Sequence, residues 1–155
     1  MSAIRSPLSD EARAVTGEAL QGAVVDLIDL SLLSKQLHWN VIGRNFRNVH
    51  RQLDDVVTLA RRYTDMAAER AVAIGVNPDG QTTTVARGSH LHGVEAGYIG
   101  DEKAIRLITD VLASLITRMR TRMDLTAEPD PVTQDLFIDA IRDLEEQHWM
   151  FQAMV

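Results

Sequence analysis

The sequence predicts an all-α four-helix bundle in which a long crossover joins the second helix to the third. Four segments carry apolar residues at three- and four-residue spacing, which is the period of an amphipathic helix. Aromatic residues make up only 5% of the chain, which disfavours a β-sandwich or barrel. Residues 76–100 contain glycines and polar residues, and so long a connection favours a crossover between parallel-running helices.

The first two helices are separated by a short corner around Gly43. The first helix is predicted to start near residue 9 or residue 17 and to end near residue 41. Asn45 is positioned to cap the second helix, which is predicted over residues 46–74. The apolar residues of the second helix follow bundle spacing: Phe46, Val49, Leu53, Val56, Ala60, Tyr63, Ala67 and Ile74.

The second half of the chain contains the crossover and two further helices. One short helix is predicted within the crossover, near residues 84–91. The third helix is predicted from Asp101, as its cap, to about residue 125. The fourth follows two prolines and covers about residues 132–153. We therefore expect a single domain over residues 1–155, with a short N-terminal arm at about 1–15.

Composition excludes several functional classes. The chain has no cysteine, so a disulfide framework, a thiolate zinc site and a cysteine nucleophile are all excluded. No apolar segment resembles a signal peptide or approaches the roughly 20 residues that span a bilayer, so we expect a cytoplasmic protein without a membrane partner. The net charge of −6 arises entirely within residues 125–155, and no strong basic patch suits duplex DNA.

Candidate metal ligands cluster on one side of the second helix. His50, Asp54, Asp65 and Glu69 project at about 0°, 40°, 60° and 100° around its axis. His38 lies near the end of the preceding helix. Imidazole and carboxylate together suit iron or zinc. The alternative is that these residues are ordinary solvated positions on a helix face.

The distance along the helix limits how these ligands can combine. His50 and Asp65 are fifteen residues apart, which corresponds to about 22 Å along a helix. One metal cannot bridge that distance. If two copies of the helix pack antiparallel about a two-fold axis, the histidine end of one chain meets the acidic end of the other. The spacing therefore predicts at least a dimer with two equivalent metal sites.

A longer motif resembles a known family. Residues 35–46 read Lys-Gln-Leu-His-Trp-Asn-Val-Ile-Gly-Arg-Asn-Phe, and they are followed by the four candidate ligands of the second helix. This pattern, with the late segment 144–151, resembles the Dps family of mini-ferritins, the DNA-binding proteins from starved cells. The resemblance covers about residues 15–155. It implies a ferritin-like bundle assembled into a hollow homo-dodecamer.

The resemblance also implies an activity, namely oxidation of Fe(II), preferably by hydrogen peroxide, and storage of ferric mineral, which protects the cell from oxidative damage. The metal of such a ferroxidase would be iron, as Fe(II) and Fe(III). Its ligands would be His38, His50 and Asp54 from one chain, and Asp65 and Glu69 from another. The resemblance also suggests an iron entry pore at Asp130, Asp135 and Asp139, and mineral nucleation at Asp55. Trp39, next to His38, could intercept stray oxidants, and the alternative for Trp39 is plain packing.

The sequence also allows two other functions, and it contains two motifs that only resemble metal sites. The main rival is protection of DNA by direct binding, with a nucleoid-associated location. Family members that bind DNA usually use a Lys/Arg-rich terminal extension, and the near-neutral arm of this chain argues against it. The other rival is a helical interaction module without catalysis. The single Glu145-x-x-His148 motif and the loop pair His90 and His92 are expected not to bind metal.

Overall fold

The computed structural model describes residues 4–154 and contains the predicted four long helices. Residues 1–3 of the predicted N-terminal arm, and Val155, lie outside the described residues. In chain order the elements are α1 Asp10–Asn40, β1 Val41–Ile42, α2 Phe46–Ala73, α3 Thr82–Gly88, β2 Ile99–Gly100, α4 Asp101–Thr126 and α5 Pro131–Gln152. The all-α bundle with a crossover that carries a short helix is confirmed.

The bundle buries one apolar face of each long helix. Helices α1 and α2 pack closely along their length, as do α4 and α5, and α1 also contacts α4. The predicted stripe of α2 is buried from Val49 onward, although Phe46 remains 43% exposed. The largest fully buried side chains of the core are Leu20, Leu27, Leu30, Leu37, Leu53, Tyr63, Ile74, Ile105, Ile108, Leu112, Phe137 and Phe151.

Helix starts were the least accurate part of the prediction. Helix α1 starts at the earlier of the two predicted positions, because the Ser9 hydroxyl accepts a hydrogen bond from the Ala12 amide and caps it. The cap of α4 is Gly100, and Asp101 is its first helical residue. Asn45 does precede α2, but its side chain makes no capping hydrogen bond. The short helix α3 ends at Gly88, earlier than predicted.

A two-residue parallel bridge joins the α1–α2 corner to the end of the crossover. Val41 and Ile42 of β1 pair with Ile99 and Gly100 of β2. The backbone then turns at Gly43, whose φ of +134° lies in the region that favours glycine. The Asn45 amide donates a hydrogen bond of 2.6 Å to Oδ2 of Asp101. These contacts fix the corner that separates the two predicted metal-binding histidines.

A buried carboxylate links α1 to α4. Asp26 is 1% exposed, and its Oδ2 accepts hydrogen bonds from Nε of Arg118, at 3.1 Å, and from Nη2 of Arg122, at 2.7 Å. The two cations stabilise a charge that would otherwise be costly to bury. This cluster was not predicted, because Asp26 interrupts an apolar stretch and gives no sign in the sequence of its partners about ninety residues later.

Candidate metal centre

The histidine end of the predicted centre forms where α1 ends and α2 begins. His38 lies in the last turn of α1 and is only 8% exposed. His50 lies in the second turn of α2. Because the corner at residues 41–45 reverses the chain, the two imidazole rings stack with their centroids 3.6 Å apart and their planes 19° from parallel. The structure therefore brings together two predicted ligands that are twelve residues apart.

Each histidine is held by the backbone of the other. Nδ1 of His38 lies 2.7 Å from the carbonyl oxygen of His50, and Nδ1 of His50 lies 2.8 Å from the carbonyl oxygen of His38. A carbonyl oxygen can only accept, so each Nδ1 carries the proton and donates it. In the neutral ring, Nε2 then keeps its lone pair. Both rings are oriented, and fixed in the tautomer that binds metal through Nε2.

Asp54 adds a carboxylate one helical turn beyond His50. Its Oδ1 lies 3.9 Å from Nδ1 of His38, and it accepts a hydrogen bond from Nζ of Lys35 on α1. That hydrogen bond holds the pKa of the Asp54 carboxyl below its ordinary value, although partial burial opposes it. The carboxylate is therefore ionised and paired with an ammonium group, which occupies one of the oxygens that a metal would use.

An open pocket of about 510 Å³ is lined by His38, His50 and Asp54, together with Arg51 and Asp55. Two imidazole nitrogens and one carboxylate are a suitable donor set for Fe(II), and they leave coordination positions open. Within residues 4–154 of a single chain, no three His, Cys, Asp or Glu side chains are arranged to hold a metal ion. The histidine end is thus a partial site.

The two remaining predicted ligands lie at the other end of α2. This helix is continuous from Phe46 to Ala73, so the fifteen residues between His50 and Asp65 do correspond to a rise of about 22 Å. Asp65 and Glu69 are both exposed, one turn apart. The chain does not bring them to His38, His50 and Asp54. Each chain therefore presents two separated sets of ligands, one at each end of α2.

Trp39 and Asp55 both lie on the surface near the histidine end. Trp39 is 68% exposed, so within a single chain its ring does not belong to the core. Asp55 follows Asp54 on α2, is exposed, and lines the same pocket. Ile42 and Phe46 are also 50% and 43% exposed, and the Phe46 ring lies 5.0 Å from the His50 ring. Three exposed apolar side chains therefore lie close to the histidine end of the site.

The three acids predicted to line a pore are in different environments. Asp130 is only 3% exposed, and its Oδ2 accepts hydrogen bonds from Thr133 and, at 2.7 Å, from Nη2 of Arg70. Burial alone would raise the pKa of Asp130, but the bonds from Thr133 and Arg70 outweigh it, and the pKa lies below the ordinary value. Asp130 joins α5 to α2 through this pair, so its carboxylate is not free in the way that the exposed acids of the predicted pore are.

The other two acids remain accessible. Asp135 is exposed on the first part of α5, and Asp139 is half-buried and forms an ion pair of 3.0 Å with Arg142. His90 and His92 are exposed in the crossover. His148 is partly buried, and its Nε2 has no hydrogen-bond partner among residues 4–154.

A further polar contact inside the bundle was missed by the sequence prediction. The Tyr63 hydroxyl donates to Oδ2 of Asp143 at 2.7 Å, and Arg62 donates to the hydroxyl and lies over the ring. Burial raises the pKa of Tyr63, and the carboxylate of Asp143 raises it further. In the sequence Tyr63 simply fits the apolar stripe, and only the packing of α2 on α5 reveals its partner.

Comparisons with known proteins agree with this architecture. The ferritin-like domain model matches residues 17–155. A DNA protection during starvation protein of Mycolicibacterium smegmatis is 30% identical over 94% of this chain and 80% of its own length. The solved structure of Dps from Microbacterium arborescens in the high iron form is 31% identical, with a TM-score of 0.91 over 98% of both chains.

The chain is a ferritin-like protein of the Dps family. Another Dps-family relative, DNA protection during starvation protein 2 of Deinococcus radiodurans, is 28% identical over 89% of this chain, which spans 57% of the length of that relative. The Dps fold also accounts for the long crossover and its short helix. In the part of the chain that the structure describes, none of the helices is long and apolar enough to span a membrane.

Proposed function

We propose that this Dps-family protein is a ferroxidase that oxidises Fe(II), preferably with hydrogen peroxide, and stores the ferric product. The observation that carries the proposal is the pair of histidines, whose rings are fixed with both Nε2 atoms available beside the carboxylate of Asp54. Family membership supports iron storage and protection of DNA, and the high iron form of the Microbacterium arborescens relative is consistent with it.

The iron centre would be shared between two subunits. His38, His50 and Asp54 of one subunit would face Asp65 and Glu69 of another across a two-fold axis, since the two sets lie about 22 Å apart at opposite ends of α2. The exposed apolar residues around the histidines, including Trp39 and Ile42, would be covered in such a pair. We propose that these pairs assemble into a hollow homo-dodecamer in the cytoplasm.

The donor set explains the direction of the reaction. Carboxylates are hard anionic ligands that favour Fe(III) over Fe(II), so the three acids of the centre would lower the reduction potential of the iron. Two Fe(II) ions would each give one electron to a hydrogen peroxide molecule, which with two protons yields two waters. Because both electrons are delivered at one centre, no hydroxyl radical is released.

Three further roles concern the path of the iron and of stray oxidants. Asp135 and Asp139 would line an entry pore and raise the local concentration of Fe(II), because clustered acids attract cations. Asp55 would bind the first ferric ions to leave the centre. Trp39, next to His38, would give an electron to one-electron oxidants that escape. Asp130 is omitted from the pore because it is buried with Arg70.

Mixed subunits test the shared centre directly. His50→Ala and Glu69→Ala, each on its own, should abolish rapid oxidation of Fe(II) by peroxide. The absorbance of the ferric product measures this oxidation. When the two variants are co-expressed and pair at random, half of the pairs contain one subunit of each kind. Each mixed pair has one intact centre out of two, so about a quarter of the wild-type centres should be recovered. Absence of recovery, with normal assembly by gel filtration, would refute a centre between subunits.

Direct DNA binding remains the second candidate function, because the names of the relatives refer to DNA protection. Mobility-shift assays across a range of salt concentrations distinguish the two routes of protection. Binding through phosphate contacts gives an affinity that falls steeply with salt. A ferroxidase that protects DNA only by consuming iron and peroxide would protect it without any shift.

A further inference from the structure

A second pocket, lined mainly by polar residues, adjoins the proposed iron centre. It has a volume of about 400 Å³ and lies along the first three turns of α2, with the end of the chain on its other side. Its lining residues are Asn45, Asn48, Arg51, Gln52, Asp55 and Met154. Arg51 and Asp55 also line the pocket of His38, His50 and Asp54. These two residues therefore form the boundary between the proposed iron centre and the second pocket, which we call the amide pocket.

The donors of the amide pocket are largely free. Among residues 4–154, neither the guanidinium of Arg51 nor the side-chain amide of Asn48 has a hydrogen-bond or ion-pair partner. Gln52, by contrast, bonds to Gln147 on α5, which fixes that wall of the pocket. An arginine presents five N–H donors in a planar fork that matches tetrahedral oxyanions such as phosphate. The pocket thus combines one unpaired cation with neutral amide donors.

Asp55 weakens the affinity of the pocket for an anion alone, and it provides a place for a metal ion beside the anion. Its carboxylate is a hard oxygen ligand that prefers Fe(III), and it lies one helical turn beyond Arg51. A ferric ion on Asp55 and a phosphate on Arg51 would neutralise each other at the boundary between the two pockets. A cation site and an oxyanion site are therefore side by side.

We propose that the amide pocket binds inorganic phosphate, through Arg51 and the neighbouring amides, and combines it with ferric ions that leave the centre by way of Asp55. This inference rests on the proposed ferroxidase function for its supply of Fe(III), but not for phosphate binding itself. The mineral formed by this protein should accordingly contain phosphate in proportion to the occupancy of this pocket.

Metal-free protein provides the first test. Phosphate binding is measured by ³¹P NMR titration with inorganic phosphate in a non-coordinating buffer. Arg51→Gln should weaken binding at least about tenfold, because charge-assisted hydrogen bonds are lost. Asp55→Asn should tighten it, because a like charge is removed. Arg47→Gln is the matched control, since Arg47 is exposed on the same helix but lines neither pocket, and it should change binding less than about twofold.

Further measurements distinguish inorganic phosphate from other ligands of the amide pocket. If Arg51→Gln leaves phosphate binding unchanged, or alters only subunit assembly, the proposal is wrong. If a short single-stranded oligonucleotide binds through Arg51 while inorganic phosphate does not, the ligand is a nucleic-acid backbone, and this too overturns the proposal. Iron oxidation by the wild-type protein in phosphate-free buffer reports on the ferroxidase alone, so failure there would leave the metal-free phosphate result standing.

Discussion

His38 and His50 hold each other in place: Nδ1 of each ring donates to the carbonyl oxygen of the other residue, at 2.7 Å and 2.8 Å. The two hydrogen bonds cross between the end of α1 and the beginning of α2. They set the orientation and the tautomer of both ligands before any metal binds. Binding of iron at the proposed centre would therefore require little rearrangement of its histidine end.

The first prediction concerns the protons on these rings. In metal-free protein at neutral pH, ¹⁵N NMR should show the Nδ1–H tautomer for both His38 and His50. Zn(II), used as a redox-inert probe, should then shift the Nε2 resonances. The exposed His90 and His92 are internal controls and should show the usual tautomer mixture. An Nε2–H tautomer in either ligand would contradict the proposed coordination.

The second prediction concerns Lys35, whose ammonium group pairs with the Asp54 carboxylate. A metal that uses this carboxylate must displace the ammonium. Lys35→Gln should therefore tighten Zn(II) binding about fivefold, which corresponds to the upper end of the free energy of a partly exposed ion pair. Calorimetric titration measures this change. Lys103, the other lysine of the chain, is 71% exposed on α4 and is the control. Weaker binding by Lys35→Gln would show that Lys35 supports the centre.

The third prediction concerns the buried pair of Arg70 and Asp130. Asp130→Asn should lower the free energy of unfolding by about 3 kcal/mol at pH 7, because it leaves a mostly buried guanidinium without its counter-charge. Urea unfolding followed by circular dichroism measures this loss. Asp10→Asn removes an exposed partner of Arg13 and should cost less than about 0.5 kcal/mol.

The same pair should contribute to acid sensitivity. The pKa of Asp130 is lowered in the folded protein, so its stabilisation is complete above the unfolded pKa of about 3.9 and is lost as pH falls through the folded pKa. The wild-type protein should therefore lose stability below about pH 4 more steeply than Asp130→Asn. Parallel slopes for the two proteins would show that Asp130 does not titrate in this way.

The fourth prediction concerns iron entry. Replacing Asp135 and Asp139 together by asparagine should slow Fe(II) uptake at least about threefold at low ionic strength. The difference should shrink as salt screens the charges. Stopped-flow absorbance after mixing with Fe(II) and peroxide measures the rate. Asp110→Asn, which removes an exposed acid on α4, should leave it unchanged. Equal uptake by the double variant and the wild-type protein would remove these acids from the entry route.

Hydrophobic periodicity was sufficient to predict the bundle, because each long helix buries a continuous apolar stripe. The separation of His50 from Asp65 was predictable too, since it depends only on the rise of an uninterrupted helix. The stacking of His38 on His50 was not, because it depends on the backbone path of the corner at Gly43. A two-residue β-bridge is too short to produce a recognisable sequence pattern, so the backbone path of the corner could not be predicted.

Pairs of buried charged residues are the other features that the sequence did not predict. Asp130 was grouped with the surface acids of the last segment, since a count of charges treats every carboxylate as solvated. Its partner Arg70 is sixty residues earlier in the chain, and nothing local indicates that they meet. Asp26 and its two arginines are another such case. Long-range pairing of buried charges depends on how the helices pack, which periodicity does not specify.

The short β-bridge between Val41–Ile42 and Ile99–Gly100 has a mechanical consequence. It joins the two ends of a loop that contains α2 and the whole crossover, one end just after His38 and the other just before α4. Cleavage of the exposed stretch around Gly93 would therefore cut the chain without separating the two halves of the bundle. A nicked molecule should keep its histidine pair, so proteolytic damage to the crossover alone should leave the histidine end of the proposed centre in place.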